Sequence, residues 1–185
     1  MIVCPQVQFL DAAVKGGFRE AAESRVDLPE DEPRTIAMVF SWCYSREYNG
    51  TGCGLEDIPF ASVNNAVNPH DYFDVYMAAD KLGIPDFKQY AQQKLVELAH
   101  THYETALFPG IVERIWCESP PHEKELRNNI SQAVARHYDT FRAQQGGAGE
   151  KALKNHPNLA HMCLTNRFLV FAGKFTASTI VGSLR

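Results

Sequence analysis

The short run Leu82-Gly83-Ile84-Pro85 constrains this chain more than any other. Upstream of it, Tyr72, Val75, Tyr76, Ala79 and Leu82 fall on one face at helical spacing. Downstream, Phe87, Tyr90, Ala91, Leu95 and Leu98 repeat that pattern. Asn68 can cap the first helix, with Pro69 in its opening turn, and Gly83 suits the left-handed residue that closes it. Pro85 then stands just inside a second start, where its missing N–H costs little. Two apolar stripes joined by so short a connection predict a helical hairpin over residues 72–98, with both stripes facing a shared core.

A chain of 185 residues is long enough for one core of ordinary size, or one and a half. Its 45% hydrophobic and 22% charged residues are those of a soluble globular protein. The 22 acidic and 18 basic residues leave a net charge of −4, which speaks against nucleic acid and against an anionic membrane surface as partners. No apolar stretch approaches the ~18 residues of a membrane span. The nearest, Phe168 to Ile180, is broken by Gly173 and Lys174. Met1-Ile-Val-Cys-Pro5 is too short and lacks the basic start of a signal peptide. Cys4, Cys43, Cys53, Cys117 and Cys163 are odd in number and scattered. They read as reduced thiols, mostly in the core, of a cytoplasmic or nuclear protein.

Along the chain, Pro5 to Val14 predicts a short helix ended by Gly16-Gly17. Ser24-Arg-Val-Asp-Leu28 alternates polar and apolar and predicts the one short strand. Pro29-Glu-Asp-Glu-Pro33 reads as a helix start with Asp31 as cap, followed by an inward stripe of Ile36, Val39, Phe40, Cys43 and Tyr44. Residues 49–67 are rich in Gly, Asn, Ser and Thr and read as a surface loop. Beyond the hairpin, Phe108, Ile111, Val112, Ile115 and Trp116 define one helix. Leu126, Ile130, Ala133, Val134, His137 and Phe141 define a longer one. Gln144-Gln-Gly-Gly-Ala-Gly149 has the composition of a flexible linker. A last helix is expected from about Pro157 through Phe171, with Leu159, Met162, Cys163 and Leu169 inward.

The order of these motifs is Gly-Gly-Phe18-Arg-Glu20, Val26-Asp-Leu28, Pro29-Glu-Asp-Glu-Pro33, and then Val75-Tyr-Met-Ala-Ala-Asp80-Lys-Leu-Gly-Ile-Pro-Asp-Phe-Lys88. It resembles the BTB/POZ domain, in particular its fungal variants, over about residues 1–99. The resemblance implies a mainly α fold: a truncated BTB/POZ-like α+β domain of helical hairpins with one remaining short strand, followed by a helical extension. The domain would be N-terminally incomplete, because the family's first two strands and most of its first helix have no counterpart here. Residues 100–143 would form the extension, 144–150 a linker, and 151–185 a C-terminal helix and tail. The family's usual dimer surface uses the missing region, so dimerisation does not carry over.

The resemblance also implies a function, that of a protein–protein interaction module. BTB adaptors that recruit a cullin ubiquitin-ligase scaffold carry a hydrophobic-x-Glu triplet before the strand matched by Val26-Asp-Leu28, and Phe18-Arg19-Glu20 occupies that place. Phe18 would anchor in a hydrophobic slot and Glu20 would set the register. The bland alternative is that Phe18 folds back over the end of the first helix. A purely self-associating scaffold is a second reading.

Other constellations are weaker. His100 and His102 with Cys117 or Cys53 could be imagined as a metal site, but imidazoles at i, i+2 do not share a helical face and no Cys-x-x-Cys accompanies them. Thr51-Gly-Cys53-Gly54 places a thiol on a glycine loop without a basic partner in sequence. The glycines near 146 lack the Lys-Ser/Thr of a phosphate loop. Asp80-Lys81 reads as a structural polar pair, and Arg34, Arg46 and Lys88 as solvated charges. Phe168, Phe171 and Phe175 form a stripe whose default is core, with a partner groove as the sharper alternative. No cofactor, metal site or catalytic residue is expected, and an enzyme or metal protein is the remote reading.

Overall fold

The computed structural model describes residues 6–17, 19–23, 25–45, 68–120 and 123–182, and the side chains of these other than 45, 145 and 170–182. The protein is mainly α-helical, and among the described residues no strand is present. The chain divides into two compact units, residues 1–94 and 95–185.

The first unit contains α1 (Gln8–Lys15), α2 (Arg19–Glu23), α3 (Pro33–Ser45), α4 (Pro69–Leu82) and the first ten residues of α5 (Pro85–Thr101). The hairpin forms as expected from sequence. Asn68 Oδ1 accepts the His70 amide at 3.0 Å, and Pro69 opens α4. Gly83 is left-handed at φ 68°. The Ile84 amide returns to Ala79 O at 2.8 Å and that of Gly83 to Asp80 O at 3.1 Å, which satisfies the last carbonyls of α4. Tyr72, Val75, Tyr76, Ala79 and Leu82 are all buried, as are Phe87 and Ala91.

In α3 the inward face is rotated from the expected one. Thr35, Val39, Trp42 and Cys43 are buried, while Tyr44 is exposed. Trp42 stacks on Phe87 with ring centroids 4.8 Å apart, so the largest ring of the helix, absent from the expected stripe, sets its rotation. Helix α3 begins at Pro33, and Asp31 does not lie at its start as a cap. Instead Asp31 Oδ2 accepts Lys81 Nζ at 2.8 Å. Arg34 donates to Asp71 and Lys88 to Asp80, each at 2.8 Å. Lys81, Arg34 and Lys88 are therefore paired charges: Arg34 and Lys88 are not merely solvated, and the expected Asp80-Lys81 pair is replaced by Lys81–Asp31 and Lys88–Asp80. Together Lys81 and Arg34 tie the start of α3 to α4.

Residues 25–28 do not form the expected strand. Among the described residues no strand lies beside the segment to satisfy its backbone, and the Arg25 amide donates to Glu20 O at 3.1 Å. The alternation of polar and apolar residues survives in the half-buried Val26 and Leu28 and in Arg25–Asp27, an exposed ion pair at 2.8 Å.

The second unit holds the rest of α5, α6 (Leu107–Glu118), α7 (Lys124–Arg136), α8 (Tyr138–Arg142), α9 (Ala148–Asn155) and α10 (Pro157–Gly182). The α6 stripe is buried as expected from its spacing. The single long helix expected over 126–141 is broken at His137, whose φ of −113° and ψ of 28° leave the helical region. Residues 144–149, expected as a linker, make a 3-10 turn and the start of α9. Gly147 supplies the left-handed turn, and Gly149 lies directly against the Phe141 carbonyl. Helix α10 packs on α7, buries Leu159 and Cys163, and runs past Phe171 to Gly182. Leu169, expected inward, is exposed. Phe168 is 75% exposed, against the core reading of its stripe; the side chains of Phe171 and Phe175 lie outside the described ones.

Candidate functional sites

Phe18, the expected anchor, lies outside the described residues, and so do Cys4 and the Thr51-Gly-Cys53-Gly54 loop. Glu20 is described, and its setting differs from a glycine-rich loop. It stands in the first turn of α2, half-buried, where its charge favours the positive helix end. With Phe9, Ala12 and Ala13 of α1 and Val26 of the following segment, it lines a hollow of about 270 Å³. The hollow is apolar on its α1 side and carries the carboxylates of Glu20 and Asp27 on the other. Phe9 at its edge is 40% exposed.

The histidines singled out by sequence are not brought together as ligands. His102 is exposed after the end of α5. His100 instead approaches His137 at the α7–α8 break, with ring centroids 6.4 Å apart. His137 in turn lies flat on Tyr103 at 3.6 Å. The Nδ1 atom of His100 is buried without a hydrogen-bond partner among the described residues. Burial, reinforced by the Arg136 guanidinium, holds both imidazoles below the ordinary histidine value. Among the described residues no group of three His, Cys, Asp or Glu side chains is placed to hold a metal ion.

Cys117 is exposed near the end of α6, and its Sγ lies 3.7 Å from Nε2 of His156, between α9 and α10. Sequence reasoning missed this pair, because 39 residues separate its members. His156 also lines an opening of the second unit, a cleft of about 700 Å³. Lys124 and Arg127 from the first turn of α7 enter it, with His161 from α10. Trp116, Pro157 and Met162 supply apolar wall. Arg127 is held from behind, donating through Nη2 to Ser119 O at 2.7 Å and to Trp116 O at 3.4 Å. It therefore caps the carbonyl end of α6. The sequence carried no motif for this cleft.

No model of a known protein family matches the chain, and no curated protein matches it either.

Proposed function

We propose that the chain is a non-enzymatic protein-interaction module of BTB/POZ type that serves as an adaptor for a cullin-based ubiquitin ligase, in the cytoplasm or nucleus. The observation that carries the reading is the α4–α5 hairpin. Its residues Val75 to Lys88 hold the most specific part of the resemblance, and they form two helices around a left-handed Gly83 with Trp42 stacked on Phe87. The adaptor role draws support from the hollow beside Glu20. An apolar side chain of a partner can settle against Phe9, Ala12 and Ala13 while Glu20 accepts a hydrogen bond at its rim.

The test is a pull-down of the full chain with a cullin N-terminal domain, comparing wild type with Phe18→Ala and Glu20→Ala. Wild type binds, and each variant loses binding by tenfold or more, ~1.4 kcal/mol. Equal binding by all three, or none, removes the adaptor role. A self-associating scaffold is the second reading, and the exposure of Leu164, Phe168 and Leu169 along α10 favours it. Light scattering separates the two, since a monomer at micromolar concentration excludes the scaffold.

A further inference from the structure

We propose that the cleft between α6, α7, α9 and α10 binds a small organic phosphate, with the phosphate among its basic side chains and an apolar body against Trp116. This goes beyond the interaction module, since it concerns only the second unit.

Charge comes first. The chain carries 22 acidic and 18 basic residues, yet Lys124, Arg127, His156 and His161 meet in this one cleft and neither Asp nor Glu lines it. The acids just outside the lining are paired or buried. Glu113 accepts Nδ2 of Asn155, itself a lining residue, at 2.8 Å, Glu118 is bound by Arg114 at 2.9 Å, and Glu123 is buried. Two like-charged side chains one turn apart on α7 repel each other, and an anion between them removes that cost.

Pre-organisation comes second. Arg127 is fixed by two carbonyls of α6, and its buried Nε has no hydrogen-bond partner among the described residues. A guanidinium already held in place loses little rotamer freedom when an anion arrives. The side-chain amides of Asn128 and Asn158 add neutral donors at the same opening.

Size and shape come third. About 700 Å³ is the volume of a small-ligand site. Donors reach it from α7, from the α9–α10 junction and from the body of α10, so they approach an anion from several sides. A tetrahedral phosphate has acceptors for such a spread, whereas a planar carboxylate meets donors mainly in one plane. Trp116 and Met162 offer a ring face and a thioether for an aryl body.

The experiment is calorimetric titration of the full chain with phenyl phosphate, inorganic phosphate, benzoate and phenol, with Trp116 fluorescence as a second readout. Phenyl phosphate binds tightest, inorganic phosphate about tenfold weaker, and phenol and benzoate weaker still. Lys124→Glu and His161→Glu, both at exposed positions that leave the Arg127 anchorage intact, each weaken phenyl phosphate about tenfold or more. Lys151→Glu makes the charge change of Lys124→Glu on the exposed face of α9, away from the cleft, and leaves binding within about twofold. The inference is overturned by the absence of phenyl phosphate binding at ~10 mM. It is overturned equally by benzoate or phenol binding as tightly as phenyl phosphate, or by Lys151→Glu weakening binding as much as Lys124→Glu does.

Discussion

Gly149 is the position where a single added methyl group separates a linker from a packed helix junction. A Cβ at this residue would lie 1.8 Å from the Phe141 carbonyl oxygen and 2.7 Å from its carbon. Real Cβ atoms do not approach below 3.0 Å, so Gly149→Ala must push α8 and α9 apart. Nothing nearby is a flexible side-chain end that could yield instead, because the obstacle is backbone. Phe141 moves with its carbonyl, and its ring is fully buried with its edge on Phe108 at a centroid distance of 5.5 Å. Overpacking costs about 1–3 kcal/mol. Partial exposure of a ring whose complete removal costs about 3–5 kcal/mol adds to it. The expected loss is therefore about 3–4 kcal/mol. The matched control is Gly147→Ala, two residues earlier. Gly147 has φ 67° and nothing within 4 Å of the added Cβ, so it bears only the left-handed strain. That strain is roughly 1–2 kcal/mol. Urea unfolding in a Trp42→Phe background, read by Trp116 alone, measures both. With a slope of about 2 kcal/mol/M, Gly149→Ala lowers the midpoint by ~1.5–2 M and Gly147→Ala by ~0.5–1 M. If Gly149→Ala is no more damaging than Gly147→Ala, the contact with Phe141 is absent in solution and residues 144–149 are a linker after all.

Three further outcomes follow from the same reasoning. Gly83→Ala combines left-handed strain at φ +68° with a Cβ only 2.9 Å from Gln8 Cβ, and it destabilises the first unit by about 2–3 kcal/mol in urea unfolding read by Trp42; a loss below ~0.5 kcal/mol would place residue 83 outside the left-handed region. His100 and His137 are held below the ordinary histidine value of 6.5, so the unfolded chain binds more protons than the folded one. Their contribution is complete above pH 6.5 and is lost as pH falls through the depressed folded values. The melting temperature of the second unit should therefore fall as pH drops below 6.5, and His137→Gln should flatten that dependence; an unchanged slope refutes the assignment. Burial pushes the Cys163 thiol up to about 12, whereas Cys117 is exposed. Iodoacetamide at pH ~8, followed by peptide mass mapping, should alkylate Cys117 in the native protein while sparing Cys43 and Cys163; comparable labelling of Cys163 would contradict the packing of α10 on α7.

The hairpin was legible because every determinant lies within a few residues of the structure it specifies. Asn68, Pro69, Gly83 and Pro85 each act on their own backbone, and the two stripes follow from spacing alone. The α6 stripe was legible for the same reason. The rotation of α3 was not, since it depends on Trp42 meeting Phe87, 45 positions away along the chain. The strand expected at 24–28 failed on a related ground. Alternation is a local pattern, but a strand exists only where another strand accepts its ladder, and residues 25–28 have no such neighbour among the described residues. Of the adaptor motif's two proposed contact residues, Glu20 alone has a described setting, and that setting is a helix turn that the short Arg19–Glu23 segment did not advertise by any period.

The sequence by itself determined that the chain is mainly helical, where its hairpin turns, and the main inward stripes of α4 and α6, though not that Phe73 and Ala78 of α4 are buried too. Those properties come from capping, the missing N–H of proline, the freedom of glycine and the period of the helix, all of which act at short range. Tertiary structure alone decided the rest. It turned a glycine run that reads as a linker into a junction where Gly149 touches the Phe141 backbone. It also gathered Lys124, Arg127, His156 and His161 around one cleft and set His137 against His100 and Tyr103. The physical reason is the same in each case: these features are distances between residues on separate helices, and they come into being only when those helices pack.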